Sequence, residues 1–289
     1  MSKLKNKGTA NSRKPFWRDR QLGLHGYLWF TMLFAFFPLM ITIVISFKDN
    51  SQYQANPWFF DPISEWHWEN WSVAWGIVRG YIANSIFVSV TAVMATMTMV
   101  VLTSYVIARY RFPGRSIIYY SIIAQMFLPG TAATLVTLFS LLDTLNLINS
   151  LWALIVVGGA GGQTVGIFII KQFIEDIPKE LFESAEIDGA GHFSQIRHIV
   201  LPMSGGILST VAIMDFLGTW NQVILALVVL RDPDKYTLPV GLLYLEGEYV
   251  KNWGEMMAGY AIAAAPLILL FFFTMKLFIK GMSQGALKG

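Results

Sequence analysis

The chain of 289 residues has no cysteine. This excludes disulfides, thiolate metal sites and cysteine nucleophiles. Charge is scarce too, at 13% of residues, whereas a soluble domain carries about 25%. Hydrophobic residues make up 55%, and mean hydropathy is +0.52. The few charges gather between long apolar runs, the pattern of a polytopic membrane protein. Catalytic signatures are missing: no nucleophile elbow and no HExxH occurs. The cluster Gly158-Gly159-Ala160-Gly161-Gly162-Gln163-Thr164 lacks the lysine and the glycine spacing of a Walker phosphate loop. Gly158, Gly162 and Gly166 instead repeat every four residues, which suits close helix packing. His192 and His198 stand six apart and share no helical face, and His67 has no second ligand candidate near it in sequence. Neither a metal site nor an enzyme is expected.

Six apolar stretches are long enough to be spans: about 22–47, 81–108, 116–142, 151–170, 203–230 and 253–279. Pro38, Pro129-Gly130 and Pro266 fall inside them, where neighbouring helices tolerate a bend. Ahead of the first span, residues 1–20 hold seven basic residues against Asp19 alone. They read as a cytoplasmic flank rather than a nucleic-acid arm. The first apolar run exceeds a signal-peptide core, and no small-residue cleavage site follows it. Residues 48–80 are rich in tryptophan, with Trp58, Trp66, Trp68, Trp71 and Trp75. Such rings suit either sugar stacking or a headgroup belt on an interfacial helix, and the belt is the expectation. Segments 1–20, 109–115, 171–205 and 276–289 together carry 16 basic residues, against 5 in 48–80, 143–150 and 231–252. The positive-inside rule then puts both termini and residues 171–205 in the cytoplasm.

Between the fourth and fifth spans lies a polar, helix-competent island, 177–202, reading IPKELFESAEIDGAGHFSQIRHIVLP. Pro178 suits a first helical turn. Leu181, Phe182 and Ala185 then share one helical face, and Lys179 and Glu183 are spaced to support each other. Gly189 is placed to end this helix in a left-handed conformation, and Gly191 loosens the chain again. A second short helix shows Phe193, Ile196 and Ile199/Val200 at helical spacing until Pro202. Two short helices joined by a glycine turn between spans form a docking element.

Glu183-Ser184-Ala185, Asp188-Gly189-Ala190 and Ile199-x-Leu201-Pro202 resemble the EAA loop of ABC importer permeases, with serine where the motif usually has alanine. Ile177-Pro178-x-Glu180-Leu181 and Gly218-Thr219-Trp220-Asn221 narrow the resemblance to the carbohydrate branch. The tail Gly281-Met282-Ser283-Gln284-Gly285-Ala286-Leu287-Lys288-Gly289 resembles that of the second, MalG-like permease of maltose-type importers. The resemblance implies an all-α membrane protein in a bacterial inner membrane. Residues 1–20 would be a cytoplasmic segment, 21–280 a six-helix transmembrane domain with the loop at 177–202, and 281–289 a cytoplasmic tail. It implies import of a di- or oligosaccharide by alternating access, with Glu183, Ser184, Ala185, Asp188, Gly189, Leu201 and Pro202 on the ATPase-coupling surface. It also implies the partners: a MalF-like second permease chain, a cytoplasmic ATPase dimer that holds the ATP and Mg, and an extracytoplasmic sugar-binding protein. The chain itself would carry no cofactor. Ser283, Gln284 and Gly285 would reach the ATPase interface on a glycine-punctuated strip, where the bland alternative is a frayed terminus.

Asp215 is the one clear acid well inside a predicted span. A carboxylate at mid-membrane costs about 2.5–3.5 kcal/mol, so it should face a polar interior. Gly218, Thr219 and Gln222 follow on the same helical stripe, with Asn221 off it. Asp215, Thr219, Asn221 and Gln222 are therefore candidates for a translocation path or a seam with a partner chain. A protonated carboxyl bonded to a neighbouring helix is the alternative. An ion-coupled secondary transporter of a small polar solute would need more intramembrane ionisable groups and internal repeats than the sequence offers.

Overall fold

A computed structural model describes residues 17–128, 132–161, 163–248 and 252–286. Every regular element among them is helical. The first span, α1 (Trp17–Ser46), runs through Pro38 without a break. After it, Asp49 caps the short α2 (Asn50–Ala55), its carboxylate accepting from the Gln52 amide at 2.8 Å. That bond and the Ser51 hydroxyl hold the Asp49 carboxyl below its ordinary range.

The third helix is longer than the sequence pattern suggested. α3 (Glu69–Arg109) has 41 residues and starts twelve residues before the expected 81. At 1.5 Å per residue it is about 60 Å long, twice the hydrocarbon thickness. Trp71 and Trp75 therefore ride on the first turns of a spanning helix, and no separate interfacial helix forms there. Phe47 gathers the other rings: Trp66 stacks on it at 4.5 Å, Trp71 at 5.4 Å, and Trp68 meets it edge-on at 4.9 Å. Trp58 lies against Phe37. The expected belt is thus partly a packed aromatic cluster, because ring–ring contact also removes apolar surface from water. Trp58, Trp68 and Trp75 stay more than half exposed. Beside the cluster, buried Lys48 pairs with Asp61, and the Asn70 amide donates to the Ser46 and Lys48 carbonyls. His67 lies between Asp49 and Glu69, contacts that sequence spacing did not disclose.

The expected third span is built from two short helices, α4 (Arg115–Ala124) and α5 (Ala132–Thr144), with a 3-10 turn at Gln125–Phe127 between them. Pro129-Gly130 lies outside the described residues. The fourth span is bent by 42° between α6 (Leu151–Gly161) and α7 (Gln163–Glu175). Among the described residues four helices are long and apolar enough to cross a membrane, or five if this bent pair is one span.

After α8 (Lys179–Ile187) the chain re-enters as one continuous helix, His192–Trp220. Its parts are α9 (His192–Gln195), a π-helical turn Ile196–Val200, and α10 (Leu201–Trp220). The expected boundary at Pro202 is absent. Proline fits an early helical turn, and the preceding turn is already widened: Leu201 N–H bonds to Ile196 O, five residues back. The fifth span also ends ten residues early, at Trp220. The Asn221 side chain and backbone N–H both donate to Leu217 O, a local competition that closes the helix. The chain continues through α11 (Ile224–Val229), α12 (Leu238–Glu248) and α13 (Trp253–Ala286).

α3 is the central element, packing against α6, α7, α10 and α13, while α1 packs on α13. Gly166 makes the α3–α7 approach possible: a Cβ there would stand 2.8 Å from a Val100 methyl. Gly158 sits in similar contact with Ala92 and Thr219. Both positions fit the close-packing repeat, whose middle member, Gly162, lies outside the described residues. The tail backbone, read from its glycines as a flexible strip, is helical as far as Ala286. Residues 287–289 lie outside the described residues, as does the basic flank up to residue 16.

Candidate functional site

α8 ends in a glycine cap. Ala190 N–H bonds to Ala185 O at 2.8 Å, and Gly189 N–H to Glu186 O at 3.0 Å, the paired bonds of a Schellman turn. Gly189 takes φ +77°, as its place in the sequence required. On the inward side Phe182 is fully buried in a cluster with Tyr105, Ile174, Ile177, Ile196 and Val200. The Arg109 guanidinium lies 3.9 Å above its ring. Leu181, expected on the same inner face, is 44% exposed. Phe182 alone anchors the helix.

The outward side carries Glu183, Ser184 and Asp188, all exposed, with Ala185 half-buried. Ser184 Oγ donates to Glu180 O at 2.7 Å, so serine at this place satisfies itself within the helix. Lys179 and Glu183 form no ion pair, as is common for exposed partners. Ile187 is 87% exposed and Phe193 74%, which leaves large apolar side chains beside the charged surface. Leu201 and Pro202 are exposed in the first turn of α10. Leu201 lines a groove between α3 and α10 with Phe193 and Ile196. The motif thus divides between a loop-helix surface and the root of a span. His192 meets the Tyr110 hydroxyl, and His198 bonds back to Ser194; the two imidazoles serve separate contacts.

The second feature lies inside the bundle. A cavity of about 370 Å³ opens between α6, α7 and α10. Asp215, Gly218, Thr219 and Gln222 all line it, so the polar stripe read from spacing faces one space. Its other walls are apolar, among them Val157, Val165 and Val211. Asp215 Oδ2 and Gln222 Oε1 are buried without a hydrogen-bond partner among the described residues. The Thr96 hydroxyl, from α3, donates to Gly159 O of α6 at 3.3 Å. Asn221 lies outside the cavity and caps α10 instead. Ser283, Gln284 and Gly285 lie on the helical backbone of α13, and their side chains fall outside the described residues.

Two features escaped the sequence reading. One is the exposed pair Ile187 and Phe193; Ile187 stood in view inside the motif as the apolar residue between Glu186 and Asp188. The other is a buried hydrogen bond from Tyr105 to Gln195, 90 residues apart, for which no local signal exists.

Residues 100–284 match the family described as binding-protein-dependent transport system inner membrane component. The chain belongs to this family. Among curated relatives, the probable ABC transporter permease protein YurM of Bacillus subtilis is 30% identical over 94% of this chain and 90% of its own length. The arabinooligosaccharides transport system permease protein AraQ of Halalkalibacterium halodurans is 31% identical over 90% of this chain and 94% of its own. A solved bacterial ABC transporter involved in import of the acidic polysaccharide alginate contains a chain superposing with TM-score 0.77. It shares 18% identity and covers 96% of this chain and 100% of that one, and so speaks to the fold. The resemblance to carbohydrate ABC importer permeases is borne out at this level. This member of the family is a multi-pass inner-membrane transport subunit and not an enzyme.

Proposed function

We propose that this chain is one of two different transmembrane subunits of an ATP-driven importer for a di- or oligosaccharide. Its 177–202 segment docks on a cytoplasmic ATPase dimer, which holds the ATP and Mg. The observation that carries the reading is the loop helix α8: fixed inward by Phe182, closed by the Gly189 cap, and presenting Glu183, Ser184, Asp188 and exposed Ile187 outward. A charged helical surface with large exposed apolar residues suits a protein partner. Family membership and the name of the arabinooligosaccharide relative support a sugar cargo. In this reading six spans leave both termini in the cytoplasm, with α4 and α5 together making the third. An extracytoplasmic binding protein delivers the sugar. The MalF-like partner permease sits across the path from the cavity at Asp215. Closure of the ATPase dimer moves α8, the spans follow, and access alternates. Residues 283–289 approach the ATPase interface from the end of α13.

The test is reconstitution in proteoliposomes with the partner permease, the ATPase and a sugar-loaded binding protein. Uptake should require ATP and the binding protein. Uptake driven by an ion gradient without ATP would replace this reading with an ion-coupled carrier.

A further inference from the structure

The end of α3 holds the loop at three points. The Arg109 guanidinium covers Phe182 of α8, the Tyr110 hydroxyl meets His192, and the Tyr105 hydroxyl donates to Gln195 Oε1 at 2.7 Å. The last contact differs in kind from the others. Tyr105 and Gln195 are 3% and 1% exposed, inside an apolar cluster that includes Val101, Ile196 and Val200. Gln195 also faces back toward the glycine turn, its Nε2 lying 3.4 Å from both Glu186 Oε1 and Ala190 O. One side chain therefore ties the cap of α8, the start of the fifth span and α3 together. The π-helical turn begins at the next residue.

A push on α8 has two routes into the membrane. The covalent route passes through the turn at 188–191, which contains two glycines and no side-chain cap, and then through the widened turn at Ile196–Val200. Both are places where a backbone bends cheaply. The other route passes through Gln195 to Tyr105 and along α3. An apolar contact such as Phe182 can slide with little change in buried area. A buried hydrogen bond cannot, because separating its partners leaves two polar groups unpaired in an apolar surround. Thr96, whose hydroxyl donates to Gly159 O of the cavity-lining α6, is nine residues from Tyr105 on the same helix, about 14 Å away.

We propose that Tyr105 and Gln195 are positioning residues that lock the loop to α3, so that the loop and α3 move as one body. The proposal rests on the importer reading and adds the route by which the stroke reaches the path. α3 becomes the lever, and the π-turn becomes the hinge that lets α10 tilt against it.

The absence of cysteine permits a direct test on the assembled complex in nanodiscs. Spin labels at Lys179→Cys on α8 and Val106→Cys on α3, both exposed positions, report the loop-to-lever distance. Distances are compared between the nucleotide-free and the ATP–vanadate-trapped complex. With the lock intact, one narrow distance should persist in both states. Tyr105→Phe and Gln195→Met each remove the bond while keeping the bulk. Each should raise the displaced population about tenfold in the trapped state. The double variant should be no worse than Gln195→Met alone, since the bond to Tyr105 is already lost in it. The lock is refuted if the unaltered complex changes distance between states, or if both variants keep the single distance. Failure of Tyr105→Phe to assemble also refutes it, because the bond would then serve folding. Vanadate trapping is scored separately: a chain that recruits no nucleotide-trapping ATPase defeats the importer reading itself.

Discussion

Gly189 offers the cleanest perturbation because its neighbour Gly191 supplies an internal control. A Cβ built at either position meets no atom within 4 Å, so side-chain crowding is the same at both. The backbones differ. Gly189 has φ +77°, whereas Gly191 lies in the extended region at φ −69°. Alanine at 189 should cost about 1–2 kcal/mol, the left-handed penalty of an L-residue. Valine should reach the upper end of about 1–3 kcal/mol. Asparagine, which visits this region more readily, should cost least. At 191 alanine should be neutral or stabilising by up to about 1 kcal/mol, through the unfolded chain alone. The two bonds of the Schellman turn contribute about 1 kcal/mol each. Valine therefore outweighs the cap, while alanine leaves it marginal. A change of one or two kcal/mol shifts the fraction of correctly turned loops by roughly 5- to 30-fold. The assay is ATP hydrolysis by the purified complex, with and without sugar-loaded binding protein. Stimulation should decline in the order Gly, Asn, Ala, Val at position 189 and stay level for Gly191→Ala. Equal stimulation across the series at 189 would refute the conformational argument. So would equal damage from Gly191→Ala, since side-chain space is equal at the two sites and only Gly189 has a positive φ.

Orientation is read by labelling single cysteines in intact cells: Lys179→Cys should react only from the cytoplasmic side and Asp234→Cys only from outside. Reversed labelling would place α8 beyond reach of any cytoplasmic ATPase. Deleting residues 283–289 should depress ATPase activity while leaving the complex assembled; unchanged activity would make the tail a plain terminus. Asp215→Asn keeps the shape of the carboxylate and removes its charge in a cavity where Oδ2 has no partner among the described residues. The complex should assemble normally and show altered uptake, and wild-type uptake of every sugar tried would reduce Asp215 to packing.

What was legible in the sequence was whatever a periodic pattern or a single residue's backbone chemistry decides. The Asp215–Gly218–Thr219–Gln222 stripe faces one cavity because helical spacing alone puts those residues on one side. Gly189 is left-handed because glycine alone pays nothing for that conformation. Helix limits were less legible. The start of α3 at Glu69 was hidden because tryptophans and charges mark a membrane boundary without saying whether the backbone stops there. The end at Trp220 was hidden because Asn221 closes the helix through its own side chain, inside a run of apolar residues that continues to Leu230.

The breaks lie close to the apparatus they would serve. α6 and α7 meet at a 42° bend, and both contribute walls to the cavity. α10 stops two residues before Gln222, whose Oε1 is buried in the same cavity with no partner among the described residues. Interrupted helices free backbone groups that lipid cannot satisfy, so in a membrane they persist only against protein or a polar space. α3, by contrast, runs unbroken along α6, α7 and α10, the helices that line the cavity, and reaches the loop through Tyr105 and Arg109. Stiffness lies in the element that connects loop to cavity, and the discontinuities lie in those that shape the cavity. A lever needs that division: compliance in α3 would dissipate the stroke, and a rigid α10 would resist it. The π-turn at Ile196–Val200 places compliance between Gln195 and α10, which leaves the bond to Tyr105 undisturbed while the span swings.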